Sequence, residues 1–232
     1  MIDLRDPRAV ASVIDQTNLN SSETIESLVR FAIQAAEYGF RAVVVLPHAV
    51  RYVKEAVGDS IRVCTVVGFP LGSEPPEVKE LEAERAVEDG ADEVDMVIDV
   101  GRALEGDFEA VADEVRRVKE AAGGRVVKAI IETPILGDPN LIARVAEAVV
   151  EGGADYVKTS TGYKPILPRS TTPDDVRAIK AAVKGRAKVK AAGGIDSLRK
   201  LKEMLEAGAD IVGSSSGLKI VREAAEGGPT PP

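Results

Sequence analysis

The sequence predicts a single α/β domain of the (β/α)₈, or TIM-barrel, class, and three observations carry that expectation. A glycine-marked junction recurs four times, a strand-like run fills each gap between recurrences, and the chain has 232 residues, close to the roughly 250 typical of such a barrel. The recurring unit is Glu37-Tyr38-Gly39-Phe40 ahead of Val43-Val44-Val45, Glu88-Asp89-Gly90-Ala91 ahead of Val94-Asp95-Met96-Val97, Glu151-Gly152-Gly153-Ala154 ahead of Tyr156-Val157-Lys158, and Glu206-Ala207-Gly208-Ala209 ahead of Ile211-Val212-Gly213. Each reads as a helix end, a left-handed glycine and a short buried strand. Gly39, Gly90, Gly153 and Gly208 are 51, 63 and 55 residues apart, too far for one βα unit and about right for two.

In chain order, Val13-Ile14-Asp15 supplies the first strand and 43–45 the second. The runs Ile61 to Val67, Arg125 to Ile131 and Lys188 to Ala191 fall between the glycine-marked strands as the third, fifth and seventh. Amphipathic stretches separate them, among them Glu74 to Asp89, Phe108 to Ala121, Pro139 to Glu151 and Thr172 to Val183, with apolar residues at spacings of three and four. Pro173 suits a first helical turn, and Thr171 or Thr172 can cap it. A strictly alternating chain leaves two architectures, a closed barrel or an open doubly wound sheet. Eight units of about equal length favour closure. The domain is expected over residues 1–226, and the Gly- and Pro-rich segment 227–232 as a loose tail.

With 44% hydrophobic and 29% charged residues, the chain can build a core and remain soluble. Its formal charge of −8 excludes a general polyanion binder, so no nucleic-acid partner is expected and an anionic ligand must be met locally. The first residues, Met1 to Asp6, lack the order of a signal peptide, and no apolar run approaches the ~20 residues of a membrane span. A cytoplasmic protein without membrane contact is expected. A lone Cys64 and a lone His48 rule out an internal disulfide and the cysteine-rich or two-histidine metal motifs. No metal is expected, and lysines and carboxylates must carry most of the acid–base work. Three Asn and two Gln beside many charged residues fit a heat-stable protein.

Asp95, Lys128, Lys158 and Lys190 interrupt otherwise apolar strands. Alone, each reads as readily as a solvated strand end or structural ion pair as it does as a functional group. Together, on strands four to seven, they place one carboxylate and three ammonium groups around a common axis if all point inward. Burial and a neighbouring cation both disfavour an ammonium, which frees a lone pair for attack on a carbonyl. Lys158 is the candidate amine, and Asp95 can move the protons each stage requires. Asp15, Thr17, Lys128 and Thr161 are candidates to line the site. Gly162 follows the sixth strand, while Gly193-Gly194 after the seventh and Gly213-Ser214-Ser215-Ser216 after the eighth flank the corner where barrels commonly hold phosphate. Cys64 reads as core packing rather than a nucleophile, His48 as site lining or a surface helix start, and the glutamates between Glu74 and Asp89 as a solvated face.

These segments resemble the deoxyribose-phosphate aldolase family from Val13 to Gly217. The likeness lies in Ile14-Asp15-Gln16-Thr17-Asn18-Leu19, Val67-Gly68-Phe69-Pro70-Leu71-Gly72, Glu93-Val94-Asp95, Lys128 to Thr133, Val157 to Gly162, Val189 to Ile195 and Gly213 to Ser216. The resemblance implies a class I aldolase in which Lys158 forms the Schiff base, Lys190 lowers its pKa and Asp95 takes part in proton transfer. It implies a phosphate site at Gly162, Gly193, Gly194, Gly213, Ser215 and Ser216, and no cofactor. The implied reaction is reversible cleavage of 2-deoxy-D-ribose 5-phosphate to D-glyceraldehyde 3-phosphate and acetaldehyde. The sequence departs from the family at Gln16, Val44 and Tyr163 and lacks the terminal tyrosine of some members. A different Schiff-base aldolase or transaldolase, and a non-catalytic sugar-phosphate-binding barrel, are the alternatives. A homodimer or homotetramer is expected, since barrels often pair through their outer helices.

Overall fold

The computed structural model describes residues 2–227, and in it eight parallel strands close into a barrel in chain order. They are β1 Ile14–Asn18, β2 Ala42–Val45, β3 Arg62–Val67, β4 Glu93–Val97, β5 Val126–Ile130, β6 Tyr156–Lys158, β7 Lys188–Ala192 and β8 Ile211–Ser214. A helix follows each strand: α1 Ile25–Tyr38, α2 Val50–Val57, α3 Pro76–Glu88, α4 Phe108–Ala121, α5 Pro139–Glu151, α6 Pro173–Val183, α7 Leu198–Ala207 and α8 Gly217–Ala225. Short helices at Pro7–Ala11, Val100–Glu105 and Thr133–Leu136 precede β1 and occupy the connections after β4 and β5. Apart from Gly227, the tail expected over 227–232 lies outside the described residues.

All eight expected strands are present. Gly39, Gly90, Gly153 and Gly208 have φ of 75°, 100°, 90° and 111°, the conformation that turns a helix end into the next strand without a Cβ clash. Pairing of β1 with β8 through Ile14↔Val212, Asp15↔Gly213 and Gln16↔Ser214 decides between barrel and open sheet. The helix expected from Glu74 begins at Pro76, because a proline fits the first turn, where its missing N–H leaves no bond unmade. Thr172 is the cap of α6: its hydroxyl accepts from Asp175 N while the Asp175 carboxylate accepts from Thr172 N.

Strand residues alternate between two environments. Val43, Val45, Val63, Val67, Val94, Met96, Val127 and Val189 belong to the main core that the helices cover. Inside the barrel, Val44, Cys64 and Val66 form a separate small cluster, and buried charge from β1, β4, β5, β6 and β7 fills much of the rest.

A second buried charge pair lies outside the barrel, between α3 and α4. Lys79 Nζ is 2.7 Å from Glu114 Oε2 and donates to Gly72 O at 2.6 Å, while Glu114 Oε1 accepts from Asp99 N at 2.6 Å. The pair thereby joins the loops that follow β3 and β4. The solvated face expected of the Glu74–Asp89 stretch needs correction at Glu82, whose Oε2 accepts from Gly68 N at 2.6 Å. That amide at the end of β3 has to find a partner when the strand pairing stops.

Candidate active site

Asp95 is the hub of the barrel interior. Its Oδ2 is 2.7 Å from Lys158 Nζ and 2.7 Å from Lys190 Nζ, and its Oδ1 is 2.9 Å from Lys128 Nζ. Lys190 also reaches Asp15 Oδ2 at 2.5 Å, and Lys128 reaches Glu93 Oε2 at 2.5 Å. From the start of β2, Arg41 closes the lower side, with Nη1 2.5 Å from Asp15 Oδ1 and Nη2 2.6 Å from Glu93 Oε1. The interior therefore holds three carboxylates and four cations, which corrects the expected count of one carboxylate and three ammonium groups. Glu93 lies two residues before Asp95 on one strand, and the two-residue period puts both on the inner face.

That count sets the electrostatics. Burial pushes the Asp95 carboxyl up, but Lys128, Lys158 and Lys190 together hold it well below 3.8. Asp15 is lowered against the same opposition by Lys190, Lys128 and Arg41. Burial pulls Lys128 and Lys190 down, yet their carboxylate partners win and both stand above 10.5. Lys158 alone of the three goes down. Burial is the largest cause, Asp95 opposes it, and Lys190 adds to it. With Lys158 neutral, Arg41, Lys128 and Lys190 face Asp15, Glu93 and Asp95, three against three. A proton on Lys158 would leave one buried cation unmatched, which is costly in a low-dielectric interior.

Lys158 is also where this interior meets solvent. It is 4% exposed and sits on the lining of a cleft of about 610 Å³ at the C-terminal ends of the strands. Thr17, Thr161, Gly162, Gly193, Gly194, Gly213, Ser215 and Ser216 line the same cleft, so β6, β7 and β8 bring the six residues expected at a phosphate onto one rim. A Cβ at Gly213 would come within 3.0 Å of Lys190 Cε, and glycine there leaves room for that side chain. Gly193, at φ 101°, packs so closely that a Cβ would collide with Ser160 Oγ. The helix α8 begins directly after Ser215 and Ser216, adding the partial positive charge of its first turn.

Lys190, Asp95, Asp15 and Lys128 do not reach the cleft; all four are 0% exposed and lie beneath its floor. Asp15 and Lys128, expected to line the site, thus act below it. Thr17 reaches the lining from β1 because it is two residues further along the same face than Asp15. Cys64 is buried as expected, and its Sγ lies 3.2 Å from Asp95 Oδ1. Burial and that carboxylate raise its pKa, which keeps the thiol protonated. His48 is exposed in a short turn over Pro47–Ala49 and is not among the residues that line the cleft. Gln16, where the sequence departs from the family, is buried and accepts from Gly217 N at 3.1 Å.

Sequence reasoning missed Arg41 and Glu93, and also the apolar wall of Leu19, Phe31 and Phe69. The two-residue spacing to Asp95 was an available signal for Glu93. Nothing local marks the wall residues, which look like any other apolar positions. Among the described residues no group of three or more His, Cys, Asp or Glu side chains is arranged to hold a metal ion, and no helix is long and apolar enough to cross a membrane.

A buried amine whose pKa is lowered, at the floor of a cleft, can add to a carbonyl in its neutral form, with a carboxylate 2.7 Å away to move protons. Fold and cleft together define the class, a (β/α)₈ aldolase barrel.

The chain belongs to the DeoC/LacD family of aldolases, whose family model matches residues 9–223. It is 44% identical over 222 residues to the deoxyribose-phosphate aldolase of Thermococcus kodakarensis, covering 94% of this chain and 97% of that one. It is 46% identical over 220 residues to that of Thermus thermophilus, with the same two coverages. The solved structure of QR15, an aldolase, superposes with a TM-score of 0.88 at 38% identity, over 94% of this chain and 96% of that one. The tetrameric deoxyribose phosphate aldolase of Aeropyrum pernix gives 0.83 at 32% identity, over 95% and 96%. The chain is an enzyme, an aldolase that makes or breaks a carbon–carbon bond.

Proposed function

We propose that this aldolase reversibly cleaves 2-deoxy-D-ribose 5-phosphate to D-glyceraldehyde 3-phosphate and acetaldehyde through a Schiff base on Lys158. The carrying observation is that Lys158 alone among the three interior lysines has a lowered pKa and lines the cleft. The names and coverage of the Thermococcus and Thermus relatives support the choice of substrate.

In the cleavage direction, neutral Nζ adds to the C1 aldehyde of the open-chain sugar, and loss of water gives the iminium. The iminium draws electrons from C2, so the C2–C3 bond breaks as the C3 hydroxyl gives up its proton. The C3 fragment leaves as the aldehyde of glyceraldehyde 3-phosphate, and C1–C2 stays on Lys158 as an enamine. Protonation at C2 and hydrolysis release acetaldehyde and the free amine. Asp95, 2.7 Å from Lys158, relays protons, and Lys190 on the same carboxylate oxygen disfavours reprotonation of the amine. Gly162, Gly193, Gly194, Gly213, Ser215 and Ser216 receive the phosphate through backbone N–H groups and hydroxyls, which fits a protein of charge −8.

Borohydride reduction with acetaldehyde, followed by peptide mass mapping, tests the chemistry. A two-carbon adduct on Lys158 is expected. No adduct, or an adduct on another lysine, overturns it. Turnover of 2-deoxy-D-ribose 5-phosphate, lost in Lys158→Ala, separates an enzyme for this substrate from a barrel that only binds phosphosugars. We also infer a homodimer or homotetramer in the cytoplasm; the tetrameric Aeropyrum relative supports the oligomer, and light scattering measures it.

A further inference from the structure

Glu132 combines two unfavourable features just beyond β5. Its backbone is left-handed at φ 52° and ψ 57° although it precedes the helix Thr133–Leu136, a position that ordinarily takes an extended backbone. Its side chain is a carboxylate on a residue only 1% exposed. The other non-glycine residue with positive φ among those described is Lys184, which ends α6 at an exposed site where that conformation is ordinary. Left-handed strain in a buried acid has no such excuse and collects where a fold is holding something in place.

What Glu132 holds is the start of the loop after β6. One carboxylate oxygen accepts from Thr161 N and the other from the Thr161 hydroxyl at 3.2 Å. The Thr161 hydroxyl oxygen accepts in turn from Tyr163 N at 3.1 Å. Thr161, Gly162 and Tyr163 all line the cleft. The flanking backbone grips the same strand end, with Ile131 N donating to Lys158 O at 3.0 Å and Thr133 N to Thr159 O at 2.8 Å. The far end of the loop is tied by Arg169 on Asp175, by the Thr171 hydroxyl on Ala192 O, and by a longer bond from Arg169 to Thr133 O at 3.4 Å.

We propose that Glu132 is a positioning residue for the aldol reaction, fixing Thr161, Gly162 and Tyr163 so that the phosphate end of the substrate is set at the right reach from Lys158. The inference rests on the Schiff-base and phosphate assignments above. Burial pushes the Glu132 carboxyl up to about 6, against the bonds from Thr161 and the charge of Lys158. Lys158 is the charged group that bears on it; of the two cations on the covering loop, Arg169 is engaged by Asp175 and Lys164 is exposed on the cleft lining. Protonation turns one of its two acceptors into a donor, so the loop is expected to loosen as pH falls through about 6.

The test compares wild type, Glu132→Gln and Glu132→Gly. Glycine adopts the left-handed backbone without strain, so that variant removes the carboxylate and still folds, as a thermal melt verifies. Kinetics are read with 2-deoxyribose 5-phosphate and with 2-deoxyribose, which lacks the phosphate. Glu132→Gly is expected to raise KM for the phosphorylated sugar about tenfold, lower kcat less, and shift kcat/KM for the unphosphorylated sugar less than about threefold. Glu132→Gln, like the protonated acid, keeps one acceptor for Thr161 N and carries one donor, so at pH 7.5 its KM is expected to match that of wild type at a pH well below about 6, between wild type and Glu132→Gly. Its KM profile should lack the component near pH 6 that wild type shows beyond the titration of the substrate phosphate. Unchanged KM in Glu132→Gly, or equal losses on both sugars, overturns the inference while borohydride still traps acetaldehyde on wild-type Lys158. No adduct in wild type removes the Schiff-base assignment first, and this inference with it.

Discussion

Lysine is buried against carboxylate in two regions of this molecule, and the difference between them lies in the count. Between α3 and α4, Lys79 meets Glu114 one to one, and the remaining bonds of both go to backbone at Gly72 and Asp99. Inside the barrel, four cations share three carboxylates, and the cation whose only carboxylate is a shared one is the one that opens onto the cleft. Burial alone therefore does not make a lysine reactive. A matched pair joins two loops, whereas an unmatched amine one layer below solvent is pushed towards its neutral form.

The comparison breaks most sharply at Lys158. Lys158→Ala is expected to lower kcat by about 10⁴-fold or more while leaving the fold intact in denaturant titrations, because Arg41, Lys128 and Lys190 still face Asp15, Glu93 and Asp95. Lys79→Met should do the reverse. Stranding Glu114 without its cation should cost about 3–5 kcal/mol of unfolding free energy, with activity per folded molecule within a few-fold of wild type. Adding Glu114→Gln to Lys79→Met is expected to restore more than half of that loss, since no buried charge is left alone; failure to recover would mean that the pair stabilises by shape rather than charge. At the hub, Asp95→Asn should reduce kcat by about a hundredfold, at the lower end for loss of a positioned acid–base group.

The smallest effect is a difference in sign. Asp95 and Asp15 have folded pKa values below their ordinary 3.8, so the stability they supply is complete above that value and is lost as pH falls through the lowered ones. Glu114 is raised above 4.5, mainly by burial, so its contribution is fully present below 4.5 and is lost as pH rises through the raised value. Urea unfolding across pH should show Asp95→Asn flattening the acid branch and Glu114→Gln flattening a slope above pH 4.5. The same sign in both variants would refute the contrast.

Much of this is legible in the sequence. Gly39, Gly90, Gly153 and Gly208 located alternate strands, because a left-handed helix end is a local requirement that glycine meets. Asp95, Lys128, Lys158 and Lys190 stood out because charge inside an apolar strand is costly wherever the strand ends up. Depth was not legible. Asp15 and Thr17 look alike as polar residues on one strand, yet one is fully buried in an ion cluster and the other lines the cleft. The strain at Glu132 leaves no local mark, since nothing in Ile131-Glu132-Thr133 announces a positive φ. Lys79 and Glu114 lie 35 residues apart on two helices and each reads as a solvated charge.

The sequence by itself determined the order and number of the βα units and the residue types that face inward, because periodicity, caps and turns are settled within a few residues. Only the tertiary structure decided which charges balance. That Arg41 reaches both Asp15 and Glu93, and that Lys158 is the interior cation whose only carboxylate, Asp95, is shared with two other lysines, depends on closing β1 against β8. Electrostatic energy in a buried interior follows distances of a few ångströms between side chains far apart in the chain, and no local pattern encodes those distances.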